Sequence, residues 1–215
     1  LPAKHGQPRN LTATSGVAER EPTWSPDGRW IAYMSDASGD YELWVVPSDG
    51  RGEPRRVTTD GAPYRYSLSW SPDSKHISLL VKGGHLELVD VATGEVTRVA
   101  SDPLSQYPST LEATWSHDSS WLAYTRADEA SGNRSIWLYE VATGQATQVT
   151  SDFFSQSSPT FDREGNYLYF VGQGSWSPTY SSVDSTWIYT DSEVLHLVPL
   201  RDDVPSPFLP EIDEE

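Results

Sequence analysis

Five histidines, four acidic turns and a serine-rich surface are the residues whose types could carry chemistry in this chain. A serine nucleophile needs a base and an oxyanion donor. No Gly-x-Ser-x-Gly elbow occurs; the nearest run, Gly172-Gln173-Gly174-Ser175, is misspaced. The histidines are His5, His76, His85, His117 and His196, and none pairs at a His-x-x-x-His metal spacing. His117 takes the turn position that Pro26 and Pro72 fill elsewhere, so it reads as architecture. His85 and His196 fall in strand patterns and read as facing solvent or a polar neighbour. Asp27, Asp73, Asp118 and Asp162 read as equivalent turn residues whose carboxylates bind local backbone N–H groups. Calcium would need several converging oxygens, and no Asp-x-Asp-x-Asp-Gly run exists. No catalytic, cofactor-binding or metal-binding residue is assigned on this basis, and no cofactor is expected.

These residues sit in a repeat. Trp24-Ser25-Pro26-Asp27-Gly28, Trp70-Ser71-Pro72-Asp73-Ser74, Trp115-Ser116-His117-Asp118-Ser119 and Phe161-Asp162-Arg163-Glu164-Gly165 recur at spacings of 46, 45 and 46 residues. Such a period marks a propeller or solenoid array. Ser, Pro and Gly at the first, second and fourth positions are type I turn chemistry. In the first copy, alternating strands are predicted over 29–35, 41–47 and 54–58; in the second over 76–81, 85–91 and 95–99; in the third over 121–126, 135–141 and 145–150. The fourth copy has strands at 167–171 and 193–200, separated by a long insertion. Four strands and a crossing loop make one propeller blade. The fold class is all-β, a β-propeller of four-stranded antiparallel blades, with about four blades present. The propeller is placed at 1–200, with blades near 22–60, 68–102, 113–152 and 158–200, and an acidic linker at 201–215. Trp24, Trp70 and Trp115 are expected at equivalent buried positions between blades.

Residues 9–14 (RNLTAT) match the fourth strand of a blade, so the chain opens on a strand without its blade and closes on a blade lacking its fourth strand. Strand 9–14 could complete the last blade in a small four-bladed ring, or the chain could be a piece of a larger propeller. The second reading is favoured.

The chain has 215 residues, no cysteine and a formal charge of −16. Disulfides and thiolate metal sites are therefore excluded. So acidic a chain is a poor partner for nucleic acid or an anionic membrane surface. No apolar run approaches the roughly 20 residues that span a bilayer, and residues 1–10, with Lys4, His5 and Arg9, show no apolar signal-peptide core, while the start at Leu1 without Met leaves open a leader already removed. The compartment expected is cytoplasmic or periplasmic, with the cytoplasm favoured. Arg201 to Glu215 carries six acids and one base, a net −5, and reads as a solvated linker. The insertion over 172–191 breaks the repeat and holds Trp176, Tyr180 and Trp187 among Ser and Pro. These three are the candidate channel or interdomain contacts.

The WSPDG-type turns resemble the propeller repeats of TolB and the tricorn proteases. The closing stretch Leu200-Arg201, Pro205-Ser206-Pro207-Phe208, Pro210 and Asp213-Glu214-Glu215 resembles the end of the first propeller in tricorn-type proteases. That resemblance implies a six-bladed first propeller, with about two blades outside this chain. It further implies a parent serine-type endopeptidase that forms a homo-oligomer and whose catalytic Ser, His and Glu lie in domains downstream. This segment would then be a non-catalytic filter or channel for peptides and unfolded segments, in contact with downstream domains of its own chain. The rival expectations are a TolB-like protein-interaction scaffold and a propeller fused to an α/β-hydrolase peptidase.

Overall fold

The computed structural model describes residues 10–61, 64–102, 104, 111–173, 179–180, 187–188 and 193–207. The first sheet holds β1 (Glu19–Trp24), β2 (Trp30–Ser35), β3 (Glu42–Pro47) and β4 (Arg55–Arg56) in chain order. The second repeats this with β5 (Arg65–Trp70), β6 (His76–Val81), β7 (His85–Asp90) and β8 (Val96–Ser101). The third holds β9 (Ala113–Trp115), β10 (Trp121–Ala127), β11 (Arg134–Glu140) and β12 (Gln145–Gln148). In the fourth, β13 (Gln156–Phe161), β14 (Tyr167–Gln173) and β17 (Glu193–Pro199) form three strands, while β15 (Thr179–Tyr180) and β16 (Trp187–Ile188) form a separate ribbon inside the insertion. Every pairing is antiparallel, and the described residues include no helix. The chain divides into two compact units, Leu1–Arg98 and Val99–Glu215.

Residues 10–14 are not a strand. Instead the Asn10 side-chain oxygen accepts the N–H groups of Thr12 and Ala13, and Ala13 turns to φ 49°. A local Asx-type bond has replaced a ladder, because no described strand lies alongside.

The turns explain the repeat chemically. Ser25 Oγ donates to Asp27 Oδ1 at 2.6 Å and accepts from Trp30 N at 2.9 Å, and Asp27 accepts from Arg29 N. Ser71 with Asp73 and Ser116 with Asp118 repeat each of these bonds. Asp162 corrects the expected equivalence. It stands at the serine position, not the aspartate position, which Glu164 holds. Its single carboxylate accepts both Asn166 N and Tyr167 N, so one side chain replaces the Ser–Asp pair. The serine hydroxyl and backbone donors hold Asp27 down to about 2 and Asp118 below its ordinary value. Asp73 is lowered too, its donors outweighing burial. A depressed carboxylate stabilises the fold above its unfolded value near 3.9 and loses that contribution as pH falls through the folded value. The urea midpoint is therefore expected to drop between pH 4 and pH 2. A Ser25→Ala/Ser71→Ala/Ser116→Ala variant should show a shallower drop over that window; an unchanged slope would contradict the assignment.

In the first unit, Ala32, Met34, Leu43 and Val45 of one sheet pack on Trp70, Ile77 and Leu79 of the next. Each buried aliphatic side chain contributes about 1.5–3 kcal/mol. In the second unit, Ala123 and Ile136 meet Phe161, Leu168 and Phe170. Strand alternation sends these residues to the shared face. The hairpin after β7 fits its neighbour closely. Gly94 has φ +78°, and a Cβ there would lie 2.4 Å from the Val57 carbonyl oxygen. Gly144, at the same hairpin position, is also left-handed, but its Cβ would meet only the Tyr139 hydroxyl at 3.6 Å. Gly144→Ala should cost about 1–2 kcal/mol, the left-handed penalty for an L-residue. Gly94→Ala should cost clearly more, since backbone must also move; equal melting shifts would refute the close approach.

The expected equivalence of the tryptophans is only partly right. Trp70, Trp115 and Phe161 are 7%, 8% and 7% exposed, whereas Trp24 is 59% exposed. Trp70 reaches the preceding sheet and donates Nε1–H to the Thr23 carbonyl at 3.3 Å. Trp24 belongs to the first sheet in the chain, and no described sheet precedes it. Leu195 is 71% exposed, although its counterparts Leu43, Leu86 and Ile136 are fully buried. The cause is similar: Leu43 packs against the sheet that follows it, and no described sheet follows β17.

Candidate functional site

The first strand of each sheet is an edge strand, and its unpaired groups are where a binding surface would form. In β1, β5 and β13 the ladder shifts register, between Arg20 and Thr23, Tyr66 and Ser69, and Ser157 and Thr160. Glu21, Ser67 and Ser158 lie at these bulges with φ of 51°, 52° and 55°. Left-handed non-glycine residues are strained. At Ser67 and Ser158 the strain is offset by a bond from the neighbouring sheet: Glu21 Oε2 accepts Ser67 N at 2.5 Å, and Glu112 Oε2 accepts Ser158 N. All four residues stand three places before the aromatic anchors, an offset that the sequence itself displays.

Five places before the anchor lies a second staple. Thr12 Oγ1 donates to Glu19 at 2.7 Å, Arg65 donates to Thr58 Oγ1 at 3.3 Å, and Thr150 Oγ1 donates to Gln156 at 2.6 Å. In each case the threonine ends one repeat and its partner opens the next. Thr12 and Thr14 both bind Glu19, just as Thr58 and Asp60 both bind Arg65. Residues 10–14 thus contact the next repeat in the way a fourth strand's end does, without forming the strand.

Arg65 is the most enclosed charge in the first unit. Its guanidinium lies 2.7 Å from Asp60, 3.1 Å from Glu87 and 3.5 Å from Glu42, with Glu42 and Glu87 also buried. Burial alone would lower its pKa, but Asp60 and Glu87 outweigh it and the net shift is upward. Near β1, Arg20 lies 4.8 Å from the Tyr41 ring and 5.3 Å from the Tyr64 ring and donates to the Tyr64 hydroxyl; Tyr64 packs on Tyr66 at 4.6 Å. This aromatic–cation cluster carried no sequence motif, because its members come from three separate segments. In the second unit, Arg134 pairs with the buried Asp102 at 3.0 Å.

Tyr180 and Trp187 are paired in the backbone register of the β15–β16 ribbon. Trp176 lies outside the described residues. His196 is half-buried and stacks on Phe170 at 5.2 Å, an apolar neighbour where solvent or a polar group was expected. His85 is held below its usual value by burial and by Arg98. His117 is exposed at its turn. Among the described residues no cluster of three or more His, Cys, Asp or Glu could hold a metal ion.

Comparison with known proteins places these features. The family model described as the tricorn protease second beta propeller domain matches residues 1–215. The tricorn protease homolog 1 of Streptomyces coelicolor is 28% identical over 213 residues, covering 97% of this chain and 20% of that protein. The crystal structure of the tricorn protease superposes with a TM-score of 0.78 at 16% identity, over 93% of this chain and 20% of that one. TolB from Acinetobacter baumannii gives a TM-score of 0.51 at 22% identity, over 80% of this chain and 41% of that one. At such identities the structural likeness speaks for the fold. This chain spans about a fifth of the length of its tricorn relatives. The expected family holds, but the matching description is of the second propeller, where the sequence pointed to the first. The pointer to the first propeller lay in the closing stretch after Leu200, not in the repeat. The chain belongs to the tricorn protease second β-propeller domain family.

Proposed function

We propose that this chain is a non-catalytic propeller segment that filters and conducts peptides or unfolded segments within a tricorn-like serine peptidase. The observation that carries this reading is the state of the edge strands. An exposed, regular edge would capture a passing peptide by adding it as a strand. Here the ladders are broken by bulges, and the bulged amides of Ser67 and Ser158 are already bonded to Glu21 and Glu112. Such an edge lets an extended chain pass without holding it. In a propeller the first strands surround the central channel.

The test uses the full-length protein, with its other cysteines replaced. Thr160 is exposed on β13. Thr160→Cys, modified with a polyethylene glycol maleimide, should slow hydrolysis of unfolded casein far more than that of a blocked tetrapeptide. If both rates are unchanged, or both fall equally, the conduit role is wrong.

A further inference from the structure

One charge separates equivalent loops of the two units. In the first, Asp60 stands two places after Thr58 and is neutralised by Arg65 at 2.7 Å. In the second, Asp152 stands two places after Thr150, but Gln156 holds the place of Arg65. Thr150 Oγ1 donates to Gln156 at 2.6 Å, where Thr58 Oγ1 accepts from Arg65, so the staple survives while the cation is lost. Asp152 is exposed, and its carboxylate makes no hydrogen bond or ion pair within the described residues.

Asp152 lines a cavity of about 420 Å³ beside the β10–β11 hairpin, within the size range of ligand sites. Its wall carries the half-buried Trp137, whose indole N–H is fixed by Ser135 Oγ at 3.0 Å. Arg126, Asp128 and Glu129 complete the charged lining. Arg126 lies over the Trp137 ring at 5.2 Å, so one guanidinium faces three carboxylates and the lining carries a net −2. Asp128 is fixed as an acceptor for Ala130 N and Ser131 N. Glu129, like Asp152, is exposed and has no hydrogen bond or ion pair within the described residues. Among the described residues no three acids stand close enough to hold a metal ion. Negative charge spread round an aromatic wall suits instead an organic cation on an apolar stem. The loop that presents Asp152 is pinned by Asn133 Nδ2, which donates to the carbonyls of Asp152 and Phe153 at 3.0 Å. Phe153 itself is 75% exposed and packs edge-on against Phe154 at 4.8 Å. A free carboxylate and an apolar ring are thus held side by side in advance, which lowers the ordering cost of binding.

We propose that this cavity binds an extended peptide segment through a basic side chain, its stem along Trp137 and its charged end met by Glu129 and Asp152, with a neighbouring apolar side chain on Phe153. The site is independent of the conduit reading, because it lies at the β10–β11 hairpin and the loop after β12 rather than along the first strands. The probe is a dye-labelled, blocked hexapeptide alternating leucine with arginine, compared with its citrulline counterpart, which keeps the shape and loses the charge. Fluorescence anisotropy is read at low salt on the full-length protein, with hydrolysis blocked by a serine-peptidase inhibitor and the probe shown intact by mass spectrometry. Saturable binding of the arginine peptide is expected, about three- to tenfold tighter than that of the citrulline peptide, the range of two solvent-exposed ion pairs. Glu129→Gln and Asp152→Asn should each weaken the arginine peptide about two- to fivefold and leave the citrulline peptide unchanged. Neither side chain has a bond in the fold to lose, so both variants should melt like the parent. Glu53→Gln, an exposed acid of the first unit, controls for general attraction to a chain of charge −16 and should leave binding unchanged. Absence of saturable binding in the parent, equal affinity for the two peptides, parent-like affinity in the Glu129→Gln/Asp152→Asn double variant, or an equal loss from Glu53→Gln would overturn the proposal.

Discussion

Replacing Trp70 with alanine is expected to lower stability by about 3–5 kcal/mol, the cost of removing a large buried aromatic. Trp24→Ala should fall within about 0.5 kcal/mol of the parent. The two residues share a repeat position, a flanking turn and a strand type, so propensity cannot separate them. The difference is burial. Trp70 is enclosed with Ile77, Leu79 and Val45, and its indole N–H is satisfied by Thr23. Trp24 has most of its surface in solvent. Urea midpoints at constant slope would read the difference, and iodide should quench Trp24 far more than Trp70. Equal losses at both positions would mean that the Trp24 face is covered in the protein measured.

Arg65→Met should be as damaging, at about 3–5 kcal/mol, for an electrostatic reason. Removing one partner of a buried ionic group leaves the others desolvated and uncompensated. Glu42 and Glu87 would then be buried together with no guanidinium between them, and only Arg98 would reach Glu87, at 3.7 Å from a half-exposed position. Arg65→Lys should lose less, since it keeps the charge but not the fork that spans Asp60 and Glu87. The variant also predicts a change of sign with pH. Desolvation without a cation raises the carboxyl pKa values above their unfolded values. Stability is then lost as pH rises through that window and recovered as it falls. Arg65→Met should therefore gain stability from pH 7 to pH 5, a gain the parent does not share. If the variant instead tracked the parent's pH profile, the three acids would not depend on Arg65 as described.

Much of the fold could be read from the chain because its information is local. The Ser–Pro–Asp–Gly turn needs only neighbouring groups: a hydroxyl, a carboxylate and the N–H groups two to five residues on. Strand alternation likewise needs only a period of two. Strands β2, β3, β6, β7, β10 and β11 accordingly fall within a residue or so of where the pattern places them. The fourth turn departs from the expected equivalence because residue type alone does not fix a role. Asp162 looks like its fellow aspartates by type, and only its bonds to Asn166 and Tyr167 reveal the serine role.

The staples between sheets were partly legible. Glu21, Ser67, Glu112 and Ser158 hold a fixed offset from the anchors, and a register comparison would have found them. The Arg20–Tyr41–Tyr64 cluster and the Arg65 network hold no such offset, because they join residues that only folding brings together.

By itself, the sequence determined the repeat, the blade type and the family, since a tight turn and an alternating strand are fixed by residues a few positions apart. Tertiary structure alone decided which of the equivalent tryptophans is buried and which charge lies at the centre of an acidic cluster. Each depends on what folding places opposite: a face that covers Trp70 while Trp24 lies bare, and carboxylates from separate strands and a loop that converge on Arg65.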